Sequence, residues 1–175
     1  MNIDFNRPQE TLAKLLTEKN LTIATAESCT AGGIANRISS VPGASKYLVG
    51  GVITYATEAK EKLLGVKHST IEDFNVVSAN VALEMATGAM KLFDTDIAIS
   101  ITGLAGPDAV DGIEPGTIYI AIALKTDKKK LKLPDVVKIM NCNFNSNNRD
   151  ENIASAIYNA VLLTAIEVDN NFPTL

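Results

Sequence analysis

Three hydroxyl or thiol side chains stand in consecutive positions near the start of the chain: Ser28, Cys29 and Thr30. They follow a β-type run, residues 21–26, and precede a helical run, residues 31–39. The N–H groups of a first helical turn are free and carry partial positive charge, so such a corner can hold a phosphate or stabilise an oxyanion. Ser28 is therefore a candidate nucleophile. The alternative is an ordinary helix N-cap, for which Ser and Thr are common.

A serine nucleophile needs a base, and Lys60 is the candidate. A serine hydroxyl is weak until a base removes its proton. Lys60 ends the segment Thr-Tyr-Ala-Thr-Glu-Ala-Lys, just past a strand-like run and within the first turns of a helical one. A lysine desolvated in a crevice has a lowered pKa and can act as a neutral base, as in known Ser-Lys pairs. The alternative is a solvated helix lysine that pairs with Glu58 or Glu61.

Other side chains are weaker candidates. Cys29 is a rival nucleophile, but a neighbouring position would point its side chain elsewhere, which favours a packing role. Tyr55 ends a strand and could bind substrate or tune the base, or be a partly buried aromatic residue. Thr102 opens Thr-Gly-Leu-Ala-Gly-Pro, which offers a hydroxyl and close backbone approach, or is a simple glycine-rich turn. Arg149 suits phosphate or carboxylate recognition, or pairs with Asp150 or Glu151 at the surface.

The composition excludes several classes of protein. The chain has 175 residues and a net charge of −4, which suits one domain and argues against a general nucleic-acid binder. No apolar run reaches the ~18 residues of a membrane span, and no secretory signal is present, so a cytoplasmic protein is expected. One histidine, His68, and two distant cysteines, Cys29 and Cys142, predict no metal site. The basic run at residues 128–132 is interpreted as a solvated hairpin tip.

The elements that must position these residues alternate along the chain. Hydrophobic periodicity predicts helices at residues 8–19, 31–39, 56–64, 79–92 and 149–168. It predicts strands at residues 21–26, 50–55, 96–102, 117–124 and 136–142. This alternation predicts a single-domain α/β/α layered sandwich with a mixed, mostly parallel sheet.

Three loops are expected to meet at one edge of that sheet. They cover residues 28–33, 55–60 and 102–116, and each follows a predicted strand. In open α/β sheets, ligands bind beyond the carboxyl ends of the strands. If the strands are parallel neighbours, the loops converge on one crevice.

Seven motifs give the chain a resemblance to a known family. They occur in this order: Ala26-Glu-Ser-Cys-Thr-Ala-Gly32, Val41-Pro-Gly-Ala-Ser45, Gly51-Val-Ile-Thr-Tyr-Ala-Thr-Glu-Ala-Lys60, Leu64-Gly-Val66, Val77-Ser78, Thr102-Gly-Leu-Ala-Gly-Pro107 and Gly116-Thr-Ile-Tyr119. The chain closely resembles the CinA C-terminal-domain family, the nicotinamide mononucleotide deamidases. The likeness covers residues 8–168.

The resemblance implies hydrolysis of the carboxamide of nicotinamide mononucleotide to nicotinate mononucleotide and ammonia, as part of pyridine-nucleotide recycling. It implies no metal and no cofactor, a small mononucleotide as partner, and a homo-oligomer, with a dimer favoured. By motif match, Ser28 resembles the nucleophile and Lys60 the base, while Tyr55 and Thr102 match active-site positions. Substrate binding is expected of a further set: Glu27, Thr30, Gly32, Gly103, Gly106 and Arg149. Backbone N–H groups of residues 28–32 are expected to hold the oxyanion.

The sequence departs from the family pattern in four places. Ala31 replaces a glycine, a small change if φ is negative there, and Thr57 replaces a commoner asparagine. The loop after Pro107 ends in Glu-Pro-Gly-Thr, which is one residue shorter than the usual family loop and differs from it in charge. Asn-Asn stands before Arg149, where the family usually has Gly-Asp. The last two changes could alter how tightly the nucleotide is held.

Two other functions stay open at the level of sequence. One is a non-catalytic mononucleotide-binding module with a role in competence or damage response, which would release no ammonia. The other is an amidase for a different small amide. Family members also occur fused behind a larger domain, and the start of this chain favours a stand-alone enzyme.

Overall fold

The computed structural model describes residues 3–127, 133–144, 146 and 148–172. Its elements follow in this order: α1 (Pro8–Glu18), β1 (Ile23–Glu27), α2 (Gly33–Ser39), β2 (Leu48–Ile53), α3 (Thr57–Leu64), α4 (His68–Phe74), α5 (Ala79–Phe93), β3 (Ile97–Leu104), β4 (Thr117–Leu124), β5 (Val136–Asn143) and α6 (Arg149–Asn171). A 3-10 turn, Ala44–Lys46, separates α2 from β2.

The strands form one mixed sheet in the order β2-β1-β3-β4-β5. β1 pairs in parallel with both β2 and β3, whereas β4 pairs antiparallel with β3 and β5. Four of the five strands of this sheet therefore point the same way, and β4 is reversed. The predicted mixed α/β sheet is confirmed.

Helices cover both faces of the sheet, as the layered prediction requires. The alternation of β3 sends Ile99 into a core with α1 and α6, and Ala98 into a second core with α5. Small residues dominate the α5 side, so this helix lies close to its neighbours. A Cβ on Gly88 of α5 would lie 2.1 Å from the carbonyl oxygen of Leu64, at the end of α3.

The predicted elements are present, with shifted ends and one addition. The sequence interpretation missed α4, a seven-residue helix whose only buried residue is Thr70, because so short a helix shows no apolar periodicity. Helix α2 begins at Gly33 instead of residue 31, because Ala31 and Gly32 both have positive φ. Ser78 caps α5, since its side-chain oxygen accepts a hydrogen bond from the Val81 N–H. The predicted hairpin tip at residues 128–132 lies outside the described residues.

Candidate functional site

The carboxyl ends of β1, β2 and β3 open into a cavity of about 240 Å³. The three strands are parallel neighbours, so the segments that follow them meet there. The predicted convergence of these loops is confirmed. Seven of the candidate residues named from the sequence line this cavity: Ser28, Cys29, Tyr55, Lys60, Thr102, Gly103 and Arg149.

Lys60 is the largest fully buried side chain of the described residues, with 1% of its surface exposed. Its Nζ lies 3.0 Å from Ser28 Oγ, and it donates to the carbonyl oxygens of Thr54 at 2.7 Å and Tyr55 at 3.3 Å. The side chain turns inward from the first turns of α3, so it is not the solvated lysine of the alternative interpretation. The structure brings the candidate nucleophile and the candidate base into direct hydrogen-bond contact.

Burial lowers the pKa of Lys60 from 10.5 to about 8. Desolvation is the cause, because a buried ammonium loses its water shell. In the neutral amine, two hydrogens can be donated to the Thr54 and Tyr55 carbonyls, which leaves the lone pair for the Ser28 hydroxyl. The two carbonyls thus orient Lys60 as an acceptor for the proton of Ser28.

Glu27 closes the corner between β1 and α2. Its carboxylate is fully buried and accepts four hydrogen bonds, from Thr30 Oγ1 at 2.7 Å and from three backbone N–H groups at 2.9–3.0 Å. Those N–H groups belong to Gly32, Ile34 and Ala35. A carboxylate one residue before the corner reaches the positive end of α2 directly.

The expected substrate contacts of Glu27, Thr30 and Gly32 are therefore corrected. These residues do not line the cavity, and they form the cap of α2. The anion position offered to a phosphate at this helix start is already filled by the Glu27 carboxylate.

The set of amides that can hold an oxyanion is also narrower than expected. The N–H of Ser28 donates to Ile101 at 3.2 Å, and the N–H of Ala31 to Ser28 at 3.1 Å. The N–H of Gly32 is taken by Glu27. The N–H groups of Cys29 and Thr30 donate to no backbone carbonyl oxygen among the described residues. These two are the candidates for an oxyanion.

Ala31 adopts a φ of +48°. Replacing glycine by alanine was expected to be a small change only if φ were negative, so this expectation does not hold. The left-handed region costs a non-glycine residue roughly 1–2 kcal/mol. Glycine, the usual family residue here, would carry no such cost. The corner therefore holds a strained residue between the candidate nucleophile and α2.

Arg149 begins α6 and connects two sides of the cavity mouth. Its guanidinium donates to the Tyr55 hydroxyl at 2.9 Å and to the Gly106 carbonyl oxygen at 2.9 Å. Gly106 does not line the cavity, and its carbonyl anchors the arginine instead. Surface pairing of Arg149 with Asp150 or Glu151 is not found among the described ion pairs.

Thr102 and Gly103 form the floor of the cavity at the end of β3. The Thr102 hydroxyl donates to the Val76 carbonyl oxygen at 2.8 Å, which ties the segment before α5 to the sheet. A Cβ on Gly103 would lie 2.8 Å from the Thr117 carbonyl oxygen, so this position needs glycine for strand packing. Both residues border the cavity, and Thr102 keeps its acceptor capacity for a ligand.

Cys29 and His68 do not compete with Ser28 and Lys60. Burial raises the pKa of the Cys29 thiol to about 11, which keeps it protonated. His68 lies on the surface between Glu61 and Glu72, away from the cavity, so it completes no triad with Ser28.

Among the described residues, no group of three or more His, Cys, Asp or Glu side chains could hold a metal. None of the described helices has the length and apolar character that crossing a bilayer requires.

Sequence reasoning missed part of the cavity wall. Asn75 and Val76, before α5, and Val110, Asp111 and Ile113, in the loop after β3, line it. The Asp-Gly pair at residues 111–112 is a turn signal that could have drawn attention to the loop. Nothing in the local sequence shows that the turn faces Ser28.

The chain matches the family model for the CinA C-terminal domain over residues 6–167. It is 56% identical over 113 residues to a CinA-like protein of Flavobacterium psychrophilum, covering 64% of this chain and 27% of the relative. A CinA-like protein of Geobacter sulfurreducens is 50% identical over 113 residues, with the same coverage of 64% and 27%. The chain thus spans about a quarter of the length of these relatives.

Solved structures show the same fold over nearly the whole chain. A CinA superfamily protein from Klebsiella pneumoniae superposes with a TM-score of 0.86 at 26% identity, covering 95% of this chain and 99% of that one. A CinA superfamily protein from Escherichia coli gives a TM-score of 0.81 at 29% identity, with coverage of 95% and 99%.

Proposed function

The chain belongs to the CinA C-terminal domain family, and from this premise we propose that it hydrolyses the carboxamide of nicotinamide mononucleotide to nicotinate mononucleotide and ammonia. One observation carries the proposal: a buried lysine of lowered pKa lies 3.0 Å from a serine hydroxyl in a cavity. This is the arrangement that acyl transfer by a Ser-Lys pair requires. A cavity of about 240 Å³ is large enough to hold a small aromatic amide.

In the first half-reaction, neutral Lys60 takes the proton of the Ser28 hydroxyl, and Ser28 Oγ attacks the carboxamide carbon. The carbonyl oxygen gains negative charge, which the amides of Cys29 and Thr30 can stabilise. The C–N bond then breaks, and the Lys60 ammonium gives its proton to the departing nitrogen, which leaves as ammonia. An ester between Ser28 and the pyridine carbonyl remains.

In the second half-reaction, Lys60 takes a proton from water, and the resulting hydroxide attacks the ester carbon. The ester bond breaks, and the lysine returns the proton to Ser28 Oγ. The product acid loses its proton to solvent and leaves as the carboxylate. Lys60 is neutral at the start and end of the cycle, so turnover needs its deprotonated form.

Arg149 is proposed to bind the mononucleotide phosphate at the cavity mouth. Two of its nitrogens are held by Tyr55 and Gly106, so the guanidinium is fixed before any ligand arrives. An arginine has five N–H donors, and the remaining ones are available for a charge-assisted contact. Tyr55 would then orient the arginine instead of the substrate.

The test is ammonia release by the full chain from nicotinamide mononucleotide, nicotinamide and glutamine. Release is expected from the mononucleotide, and Ser28→Ala should lower it by about three decades or more, by analogy with nucleophile removal in hydrolases. Cys29→Ala is the matched control, since it changes the neighbouring side chain and should leave turnover in place. Activity in Ser28→Ala with loss in Cys29→Ala would reverse the assignment. A chain that binds the mononucleotide but releases no ammonia would be a binding module.

A further inference from the structure

A tight turn in the loop after β3 places Asp111, an exposed residue, at the border of the cavity. Asp111 and Gly112 both have positive φ, +51° and +76°, as in a type I′ turn. The flanking residues Val110 and Ile113 exchange backbone hydrogen bonds at 3.1 and 2.9 Å. Val110, Asp111 and Ile113 all line the cavity that holds Ser28 and Lys60. The turn therefore fixes the backbone of Asp111 at the cavity wall.

Asp111 is the one carboxylate among the described lining residues. The two cations of the same wall have other partners: Lys60 contacts Ser28, Thr54 and Tyr55, and Arg149 contacts Tyr55 and Gly106. No ion pair or side-chain hydrogen bond to Asp111 is found within the described part of the chain. Its negative charge is thus not neutralised by a neighbouring side chain.

The proposed mechanism gives this carboxylate no task. Lys60 already provides the base, and a negative charge at the cavity wall opposes a developing oxyanion. Such a charge is useful if the ligand brings a positive one. In a nicotinamide nucleotide the ring nitrogen is bonded to ribose and is permanently cationic, whereas the ring of free nicotinamide is neutral at pH 7.

We propose that Asp111 is a specificity-determining residue that selects amides of a cationic ring over amides of a neutral ring. The inference rests on the proposed function for the position of the ring near Ser28. A cavity of about 240 Å³ keeps any bound ring within a few ångströms of its wall. At that distance, and with an effective dielectric constant between those of protein and water, a carboxylate changes the affinity for a unit positive charge by about tenfold.

The test compares binding of 1-methylnicotinamide, which is cationic, and nicotinamide, which is neutral, by ligand-observed NMR titration of the full chain. The parent chain should favour the cation by about tenfold. Asp111→Asn should bring this ratio close to one while leaving the affinity for nicotinamide unchanged. Asparagine before glycine is itself preferred in a type I′ turn, so the variant keeps the turn.

Asp108→Asn is the matched control. Asp108 is an exposed carboxylate in the same loop that does not border the cavity, and its substitution changes the net charge by the same amount. It should leave the binding ratio as in the parent chain. The inference is overturned if the parent shows no preference, if Asp111→Asn keeps it, or if Asp108→Asn lowers it equally. Because binding is measured without turnover, ammonia release decides the proposed function separately.

Discussion

The corner after β1 and the loop after β3 lie on the same side of the sheet and border the same cavity, yet they are built differently. The corner is buried: Ser28, Cys29 and Thr30 are each less than 9% exposed. Glu27 accepts four hydrogen bonds, two from the corner and two from the first turn of α2. Residues 107–112 are all exposed, and the turn there is held by one pair of backbone hydrogen bonds.

The difference assigns separate tasks to the two regions. Acyl transfer requires reacting atoms held within a fraction of an ångström, which a buried and cross-linked corner can provide. Discrimination between ligands tolerates a more exposed loop, since a charge acts over several ångströms. We therefore expect substitutions in the corner to change turnover or stability, and substitutions in the loop to change ligand preference.

The largest effect is expected from Lys60→Met, which removes the base at the corner. Turnover should fall by about three decades or more, as for other members of a catalytic pair. In the parent enzyme, kcat/KM should rise with pH through about 8, the pKa to which burial lowers Lys60 in the free enzyme, because the neutral amine is the active form. Steady-state rates between pH 6 and 10 check this. A variant that keeps turnover and the same acidic limb would remove Lys60 from the mechanism.

The same variant gives a stability test with a defined sign. Between pH 8 and 10.5 the unfolded chain keeps Lys60 protonated while the folded chain does not. Because the unfolded state binds more protons, stability should rise with pH in this window by up to about 1.4 kcal/mol per unit. The stability of Lys60→Met should not show this rise with pH. Denaturant unfolding of both chains at pH 7.5 and 9.5 would measure the difference.

The second largest effect is expected from Glu27→Gln, which breaks the cap that distinguishes the corner. The substitution keeps the shape but removes the charge, and it turns an amide group toward backbone donors. The free energy of unfolding should fall by about 2–3 kcal/mol, since hydrogen bonds to charged groups are worth roughly 1.5–3 kcal/mol each and only some are lost. Asp111→Asn in the loop should change it by less than about 0.5 kcal/mol. Equal losses in both variants would contradict the contrast between the regions.

The smallest effect is expected from Ala31→Gly, which relaxes the strained residue of the corner. Relief of the positive φ gains roughly 1–2 kcal/mol, and the greater freedom of glycine in the unfolded chain offsets about 0.4–1 kcal/mol. The free energy of unfolding should therefore rise by about 0.5–1 kcal/mol, as thermal unfolding would show. Asp111→Gly has a similar starting φ, and its gain should be smaller because aspartate tolerates this region better.

The loop was the harder region to foresee from the sequence. Ser28 and Lys60 stand out because each lies in an uninterrupted motif beside a predictable strand, and strands such as β3 are signalled by their own apolar runs. The position of Asp111 at the cavity depends on how its turn packs against the edge of the sheet that carries Ser28. The two residues lie more than 80 positions apart in the chain. No local pattern encodes that contact.

The sequence by itself determined the order of the elements, the corner after β1 and the types of residue that carry the proposed chemistry. These features depend on periodicity and short motifs, which neighbouring residues fix through local sterics and hydrogen bonding. The tertiary structure decided that Glu27 caps α2 instead of binding a ligand, that Ala31 takes a positive φ, and that Lys60 is buried against Ser28. Each of these depends on distances between segments far apart in the chain, and those distances are set only when the sheet and both helical layers pack together.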